Sequence, residues 1–274
     1  MAVTPRLNRL FSADGKCLDV ALDLGLFNEY GFLSGLESMD NAVRKVIQAA
    51  PDAIQLSPGQ AKWLQNEPQN RKPSLVLRVD ASNVYGQDPY RFSQLVENPI
   101  EQAVAWDAAC VVVNLFSLPG QAEFLHQCVN NLSSLKPSCE RYGMPLMVEA
   151  VAMKVNERQD GIVADGDFRK IAPLVRLAAE LGADIIKTSA CDELGQFHRV
   201  VEAASGLPVL PLGGSKASEE EVLRRTRCLM DQGSSGAVYG RNVIQHPAPD
   251  RMTRALMAIV HEDASVDAAM KILQ

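Results

Sequence analysis

The stretch Gly182-Ala-Asp-Ile-Ile-Lys-Thr-Ser189 decides the fold. It sets one lysine, Lys187, near the end of a short apolar run. Residues 168–181 precede it, with apolar side chains at 171, 174, 175, 178 and 181, the period of a helix. Gly182 stands where a glycine commonly ends a helix. A helix that runs straight into a strand, with no room for a linker, is half of a repeating strand–helix unit. A lysine buried in such a strand is costly unless it is paired or neutral. At the carboxyl end of a strand in an alternating chain, it has the setting of a Schiff-base nucleophile. The alternative is a lysine whose stem packs while its ammonium reaches water.

Working outward, the same alternation recurs. Apolar strand-like runs lie at 17–24, 53–56, 74–80, 110–116, 145–152, 184–190, 208–213 and 236–241. Helical patterns separate them at 39–50 (behind Ser38 as a candidate N-cap), 100–106, 121–142, 168–181 and 218–232. Two more, 251–261 and 264–273, close the chain. The helix at 218–232 opens on Ser-Glu-Glu-Glu, an acidic first turn suited to a helix N-terminus. Repeated strand–helix units imply a parallel sheet, and eight of them fit a closed (β/α)8 TIM barrel. An open doubly wound sheet would want a glycine-rich fingerprint after the first strand. Asp23-Leu-Gly-Leu-Phe-Asn28 offers none. No linker divides the chain, so a single domain is expected over 1–274. The polar segment 156–166 reads as a long loop after the fifth strand, on the face where a barrel carries its chemistry, and is a candidate lid.

In a barrel the strand carboxyl ends converge. Here they supply Asp23, then Arg78 and Asp80, then Asn114, Glu149 and Lys187. The last two ends are Gly213-Gly-Ser-Lys216 and Gly240-Arg-Asn242. The two glycine turns look like a phosphate cradle made by Gly213, Gly214, Ser215, Gly240 and Arg241. Glycine lets backbone N–H groups approach an anion, and arginine can hold a phosphate through two hydrogen bonds. The competing reading is glycine needed only for tight turns. To attack a carbonyl, Lys187 must shed a proton from a group whose free pKa is about 10.4. An apolar wall around Ile185 and Ile186 is expected to help by disfavouring the ammonium. The protonated imine would then draw electrons from the neighbouring carbon–carbon bond without a metal. Glu149 and Asp23 are the candidate proton shuttles. A structural salt bridge from Glu149 to Lys187 is the plainer alternative. Arg78 and Asn114 are candidates for a second anion or substrate contact, against a simple salt bridge from Arg78 to Asp80.

Composition narrows the partners. The net charge of −6 argues against nonspecific nucleic-acid binding. No run is long and apolar enough for a membrane span, and the start of the chain has no apolar signal core. Six scattered cysteines without a CxxC pair read as thiols of a reducing cytoplasm. Four scattered histidines form no zinc pattern. No metal and no cofactor are expected.

Together these motifs resemble the class I aldolases of the DeoC/LacD superfamily, most closely the archaeal-type fructose-bisphosphate aldolases and their tagatose-bisphosphate relatives. The resemblance rests on Gly35-Leu-Glu-Ser-Met-Asp40, Ala183-Asp-Ile-Ile-Lys187, Leu212-Gly-Gly-Ser-Lys216, Tyr239-Gly-Arg-Asn-Val243 and Ala258-Ile-Val-His-Glu262. It implies a barrel, a lysine–substrate imine, a phosphorylated sugar substrate, no metal and a homo-oligomer. Two positions depart from the fructose-bisphosphate pattern. Leu24 follows Asp23 where those enzymes have histidine, and Val151 stands where their fifth strand carries a tyrosine acid. Glu149 shares the facing of Val151 and is similar to the glutamate of the tagatose-bisphosphate branch. Related barrels run thiolytic and transaldol reactions on the same lysine, and a non-catalytic sugar-phosphate-binding barrel is the remaining alternative.

Overall fold

Strands that are apolar on both faces need cover on both sides, and helices on the outside of a closed sheet supply it. The computed structural model describes residues 3–68, 72–85, 90–156 and 161–274. Its eight parallel strands are β1 (Cys17–Ala21), β2 (Ala53–Leu56), β3 (Ser74–Arg78), β4 (Cys110–Ser117), β5 (Leu146–Val155), β6 (Ile185–Thr188), β7 (Val209–Pro211) and β8 (Gly236–Tyr239). Each pairs with the next in chain order, and β8 pairs with β1. The circle closes between β7 and β8 through the parallel bridge Leu212↔Val238. The expected TIM barrel is therefore the fold, with all eight strands where the apolar runs place them.

Two apolar layers follow from strand alternation. Inward residues, among them Cys17, Ala21, Ala53, Val76, Val112, Met147, Ile185 and Leu210, make a compact inner cluster. Outward residues such as Val111, Val113, Val148 and Ile186 pack under the helices in the larger cluster. A helix absent from the sequence reading, Thr4–Leu10, runs across the barrel's amino end. Its fully buried Leu10 joins the inner cluster, with Leu7 and Phe11 packed beside it. Arg6 fixes that helix by donating to the Ala108 carbonyl at 2.7 Å. The barrel is thus stoppered at one end, and polar groups collect at the other.

The outer helices match the periodic segments. Phe168–Glu180 ends before Gly182, whose φ of +90° is the left-handed turn that glycine supplies without strain. Ser218 caps Glu219–Asp231 through the Glu221 N–H. Ser38 does occupy the cap position before Met39–Ile47, but its hydroxyl makes no cap hydrogen bond. Four shorter pieces were not foreseen from periodicity: Lys62–Gln65, Phe197–Ala203, Arg241–Ile244 and the amino-terminal helix. Each has at most two turns, too few for a 3.6-residue period to stand out.

Three segments differ from expectation at the carboxyl face. After Ala21 the chain leaves the sheet, and Leu24–Phe27 forms a 3-10 turn instead of extending β1. Asp80 does not end β3; it begins an antiparallel hairpin of Asp80–Asn83 with Phe92–Leu95. The segment after β5 is not a plain loop in its described part. Ile162–Ala164 folds back along β5, pairing Met153 with Ala164 and Val155 with Ile162. Val155, Ile162 and Val163 favour extended backbone, which explains the arm. The tip expected as a lid, residues 157–160, lies outside the described residues.

Candidate active site

Parallel register places the central pair. Glu149 on β5 and Lys187 on β6 are direct Cα partners, and Asn114 on β4 is the partner of Glu149. All three face inward at the carboxyl end of the barrel. Lys187 Nζ lies 2.9 Å from Glu149 Oε2 and donates to Gln55 Oε1 at 3.1 Å. Gln55 in turn donates to Asp23 Oδ2 at 2.7 Å. Lys187 and Glu149 are 3% and 4% exposed, so the ion pair is almost dry. The apolar wall expected around Lys187 is a polar one on this side, because the inward positions of the neighbouring strands carry carboxylate and amide groups.

Arg78 organises the floor. Its Nε donates to Asp23 Oδ2 at 2.7 Å and its Nη1 to Asn114 Oδ1 at 2.8 Å. Its Nη2 meets Glu149, and Nη1 reaches Asp80 at 3.3 Å. The guanidinium is fully buried, with the Phe27 ring 5.6 Å away. Of the alternatives held for Arg78, the salt bridge to Asp80 is the one present, joined by two more carboxylates. Arg78 and Asn114 are not among the residues that line the cavity. Their donors are spent on protein carboxylates and amides beneath its floor.

The cavity occupies about 450 Å³ at the carboxyl mouth. Asp23, Glu149 and Lys187 line one part of it; Gly213, Gly214, Ser215, Gly240 and Arg241 line another. Eight of the ten site residues expected from sequence therefore meet around one space. Lys216 does not: its ammonium approaches the Gln245 carbonyl at 3.4 Å. Gly213 is required by close approach, since a Cβ there would come within 2.4 Å of the Tyr239 ring. The turn is pinned by Asn242, whose amide donates to the carbonyls of Gly213 and Ser215 at 2.9 and 3.1 Å. Arg241 stacks on Phe32 at 4.7 Å and donates to the Gly214 carbonyl at 3.2 Å. Burial lowers its pKa, and among the described residues no carboxylate ion-pairs with it. A half-buried cation of this kind is suited to an anionic ligand. Among the described residues no group of three His, Cys, Asp or Glu is arranged to hold a metal ion.

Electrostatics set the protonation of the floor. Burial acts to raise the Glu149 carboxyl, but the Lys187 and Arg78 cations outweigh it and hold it well below the usual range. Glu149 is thus a carboxylate in the resting site. Burial raises Asp80, with Arg78 and Asn114 opposing. Asp23 Oδ1 has no hydrogen-bond partner among the described residues, while its other oxygen holds Arg78 and Gln55.

Sequence reading passed over Gln55, Asp19 and Tyr85. Gln55 and Asp19 had a usable signal, each being a polar residue at an inward position of an otherwise apolar strand. Asp19 is fully buried on β1, and neither carboxylate oxygen has a hydrogen-bond partner among the described residues. Burial drives its pKa up to about 7, with the Lys187 charge opposing. The sign of the consequence is definite. The native state holds this proton more tightly than the unfolded chain does, so native stability falls as pH rises from about 4 to about 7. Asp19→Asn is expected to gain up to about 4 kcal/mol above pH 7. The gain should vanish below pH of about 4, as followed by urea unfolding at several pH values. A gain independent of pH would mean that Asp19 is not the buried titrating group.

The similarities to known proteins agree with this geometry. The family model described as DeoC/LacD family aldolase matches residues 17–246. An uncharacterized aldolase of Saccharolobus solfataricus is 32% identical over 274 residues, covering 98% of both chains. A 2-amino-3,7-dideoxy-D-threo-hept-6-ulosonate synthase of Halobacterium salinarum is 32% identical, covering 97% of this chain and 94% of the other. A 3-hydroxy-5-phosphonooxypentane-2,4-dione thiolase of an Enterobacter strain is 30% identical, covering 98% and 84%. Among solved structures, a Schiff-base-forming fructose-1,6-bisphosphate aldolase superposes with a TM-score of 0.76 at 26% identity, covering 94% of this chain and all of the other. The matched segment runs from the first residue of β1 through the glycine turn after β8 and takes in the Lys187–Glu149 pair, so this chain belongs to the DeoC/LacD aldolase family of carbon–carbon lyases.

Proposed function

We propose that this chain is a class I aldolase that breaks or forms a carbon–carbon bond in a phosphorylated ketose through an imine on Lys187. The observation that carries the reading is one cavity holding a buried lysine 2.9 Å from a carboxylate and, on another wall, an arginine without an acidic partner among the described residues. In this reading Glu149 accepts a proton from the Lys187 ammonium, and the freed amine attacks the ketone. The carbinolamine oxygen takes up a proton and leaves as water, giving a protonated imine. Cleavage follows when a carboxylate takes the proton of the hydroxyl two carbons from the imine carbon. The carbon–carbon bond breaks, its electron pair moves toward the imine nitrogen, and an aldehyde departs. Protonation of the resulting enamine and hydrolysis restore Lys187. The protonated imine is itself the electron sink, so the scheme uses no metal. In this reading Asp23 orients substrate hydroxyls, a role supported by its one oxygen without a partner among the described residues. We further propose that residues 1–274 form one domain, in keeping with the near-complete mutual coverage by the archaeal relative, and that the chain assembles as a homo-oligomer, as the family resemblance implies.

The deciding experiment is borohydride reduction in the presence of dihydroxyacetone phosphate. One triose adduct should appear on the peptide that holds Lys187. An adduct on Lys216 instead would overturn the assignment. Similarity to the thiolases supports a second reading, thiolytic chemistry on the same lysine. A panel of phosphorylated ketoses and diketones separates the two by which of them turns over.

Two substitutions test the roles. Glu149→Gln removes a general acid–base group and should slow cleavage by about 10²–10⁴. Imine trapping should survive at a reduced rate; near-full activity with loss on Asp23→Asn would transfer the role to Asp23. Arg241→Met should weaken a phosphorylated substrate by about ten- to a hundredfold, the worth of a charge-assisted hydrogen bond. Its unphosphorylated analogue should be unaffected, and an equal loss for both would make Arg241 structural.

A further inference from the structure

Part of the cavity wall is carbon-rich and takes no part in the lysine chemistry. It is built of Leu24, Phe27, Phe32, Ile162, Val163 and Tyr85. Tyr85 lies just beyond the hairpin strand Asp80–Asn83. Its ring meets Phe27 and Phe32 edge-on, with centroids 5.5 and 5.1 Å away, and Phe116 stands 6.4 Å off. Three aromatic neighbours hold the ring in place, so its orientation is set before any ligand arrives. Five of the six wall residues offer only carbon to a ligand through their side chains; Tyr85 alone carries a polar atom.

That atom is a hydroxyl under the influence of both halves of the site. Glu149, Arg241, Arg78 and Asp23 all act on it electrostatically. Burial first, and then the Glu149 carboxylate, push the phenol well above its ordinary pKa, so it keeps its proton. A phenol that keeps its proton is a donor. The site otherwise has few neutral donors to offer. Lys187 is consumed by the imine, Arg78 is committed to three carboxylates, and Arg241 stands at the cradle. Glu149, as a carboxylate, can only accept.

We propose that the Tyr85 hydroxyl donates a hydrogen bond to a substrate hydroxyl oxygen next to the imine carbon, and so selects hydroxylated ketose phosphates over their deoxy counterparts. The inference rests on the imine reading given above. It assigns Tyr85 a binding contact and no proton transfer, consistent with a phenol that does not ionise. An apolar wall with one fixed donor discriminates sharply: a ligand lacking the oxygen would cover the hydroxyl and leave it unpaired.

The test uses the full chain and two ketones, dihydroxyacetone phosphate and hydroxyacetone phosphate, which differ by one hydroxyl. Both can form an imine and both carry one phosphate. Half-saturating concentrations for borohydride trapping are measured for the wild type and for Tyr85→Phe, which retains the ring contacts. The wild type should favour dihydroxyacetone phosphate. Tyr85→Phe should weaken that ketone by about three- to tenfold, the range of one neutral hydrogen bond, and leave hydroxyacetone phosphate unchanged. Equal weakening of both would show a merely structural tyrosine, and no change in either would show that the hydroxyl touches no substrate oxygen; either result overturns the proposal. A wild-type adduct on Lys187 keeps the aldolase reading standing whatever Tyr85→Phe does. A wild type that traps neither ketone removes both readings.

Discussion

Lys187→Ala is expected to leave a folded barrel without measurable turnover. The expected loss is on the order of 10⁶ in kcat, the scale seen when a covalent nucleophile is removed from an enzyme. No other described lysine lines the cavity, so no neighbour can replace the amine. Folding should survive because the partners left behind are not stranded. Glu149 keeps Arg78, and Gln55 keeps its bond to Asp23. The variant therefore removes chemistry while the barrel stays folded, with an unfolding midpoint lowered by loss of the buried ion pair. Borohydride trapping must fail on it completely. Residual trapping at another lysine, or turnover within tenfold of wild type, would end the imine mechanism. Collapse of the fold would leave the loss of activity uninterpretable, so circular dichroism and thermal unfolding belong to the same experiment.

The second large effect is on stability, at Arg78. Asp23, Asp80 and Glu149 converge on this one guanidinium, all of them nearly or wholly buried. Removing one partner of a buried ion pair typically costs about 3–5 kcal/mol, because the other charge is left unpaired. Arg78→Met strands three carboxylates, with Lys187 remaining to serve only Glu149. The expected cost is at least about 5 kcal/mol, comparable to the whole stability of an ordinary domain. The protein should be insoluble or largely unfolded at neutral pH. Acidification toward pH of about 4 should recover part of the loss, since protonated carboxyls no longer need the cation. Arg78→Lys restores charge but cannot serve three acceptors in a fork, and should fall between the two. A stable, soluble Arg78→Met protein would contradict the view of this cluster as one electrostatic unit.

The barrel was legible because each strand is a largely apolar run and the longest helices, such as Phe168–Glu180 and Glu219–Asp231, repeat an apolar face over three or more turns. Lys187, Glu149 and Asp23 stood out as polar residues ending such runs, and the glycine turns by their composition. The partners of those residues did not stand out. Gln55 is 132 positions from Lys187, and Arg78 is 71 from Glu149. Only the closing of the barrel brings them together across its interior, and no local pattern encodes it. The hairpin after β3 was hidden for another reason. Its strands are four residues each and mix polar with apolar side chains, so neither alternation nor an apolar run announces them. Tyr85 escaped notice with that hairpin, since a tyrosine in an unassigned segment has no facing to read.

The division between strand-borne and arm-borne groups separates what fixes the reacting pair from what shapes the cavity around it. Lys187 and Glu149 hang on adjacent strands in direct register, so their separation is dictated by the hydrogen-bonded lattice of the sheet. Leu24, Phe32, Tyr85 and Ile162 ride on turns, a hairpin end and an antiparallel arm outside the eight parallel strands. Insertions or exchanges in those excursions can reshape what the cavity admits while the reacting pair stays at fixed spacing. A library confined to these arms should therefore yield altered substrate choice with imine formation intact. One confined to strand interiors should yield mostly dead protein. The spacing of the reacting pair and the shape of the cavity mouth can thus be varied separately.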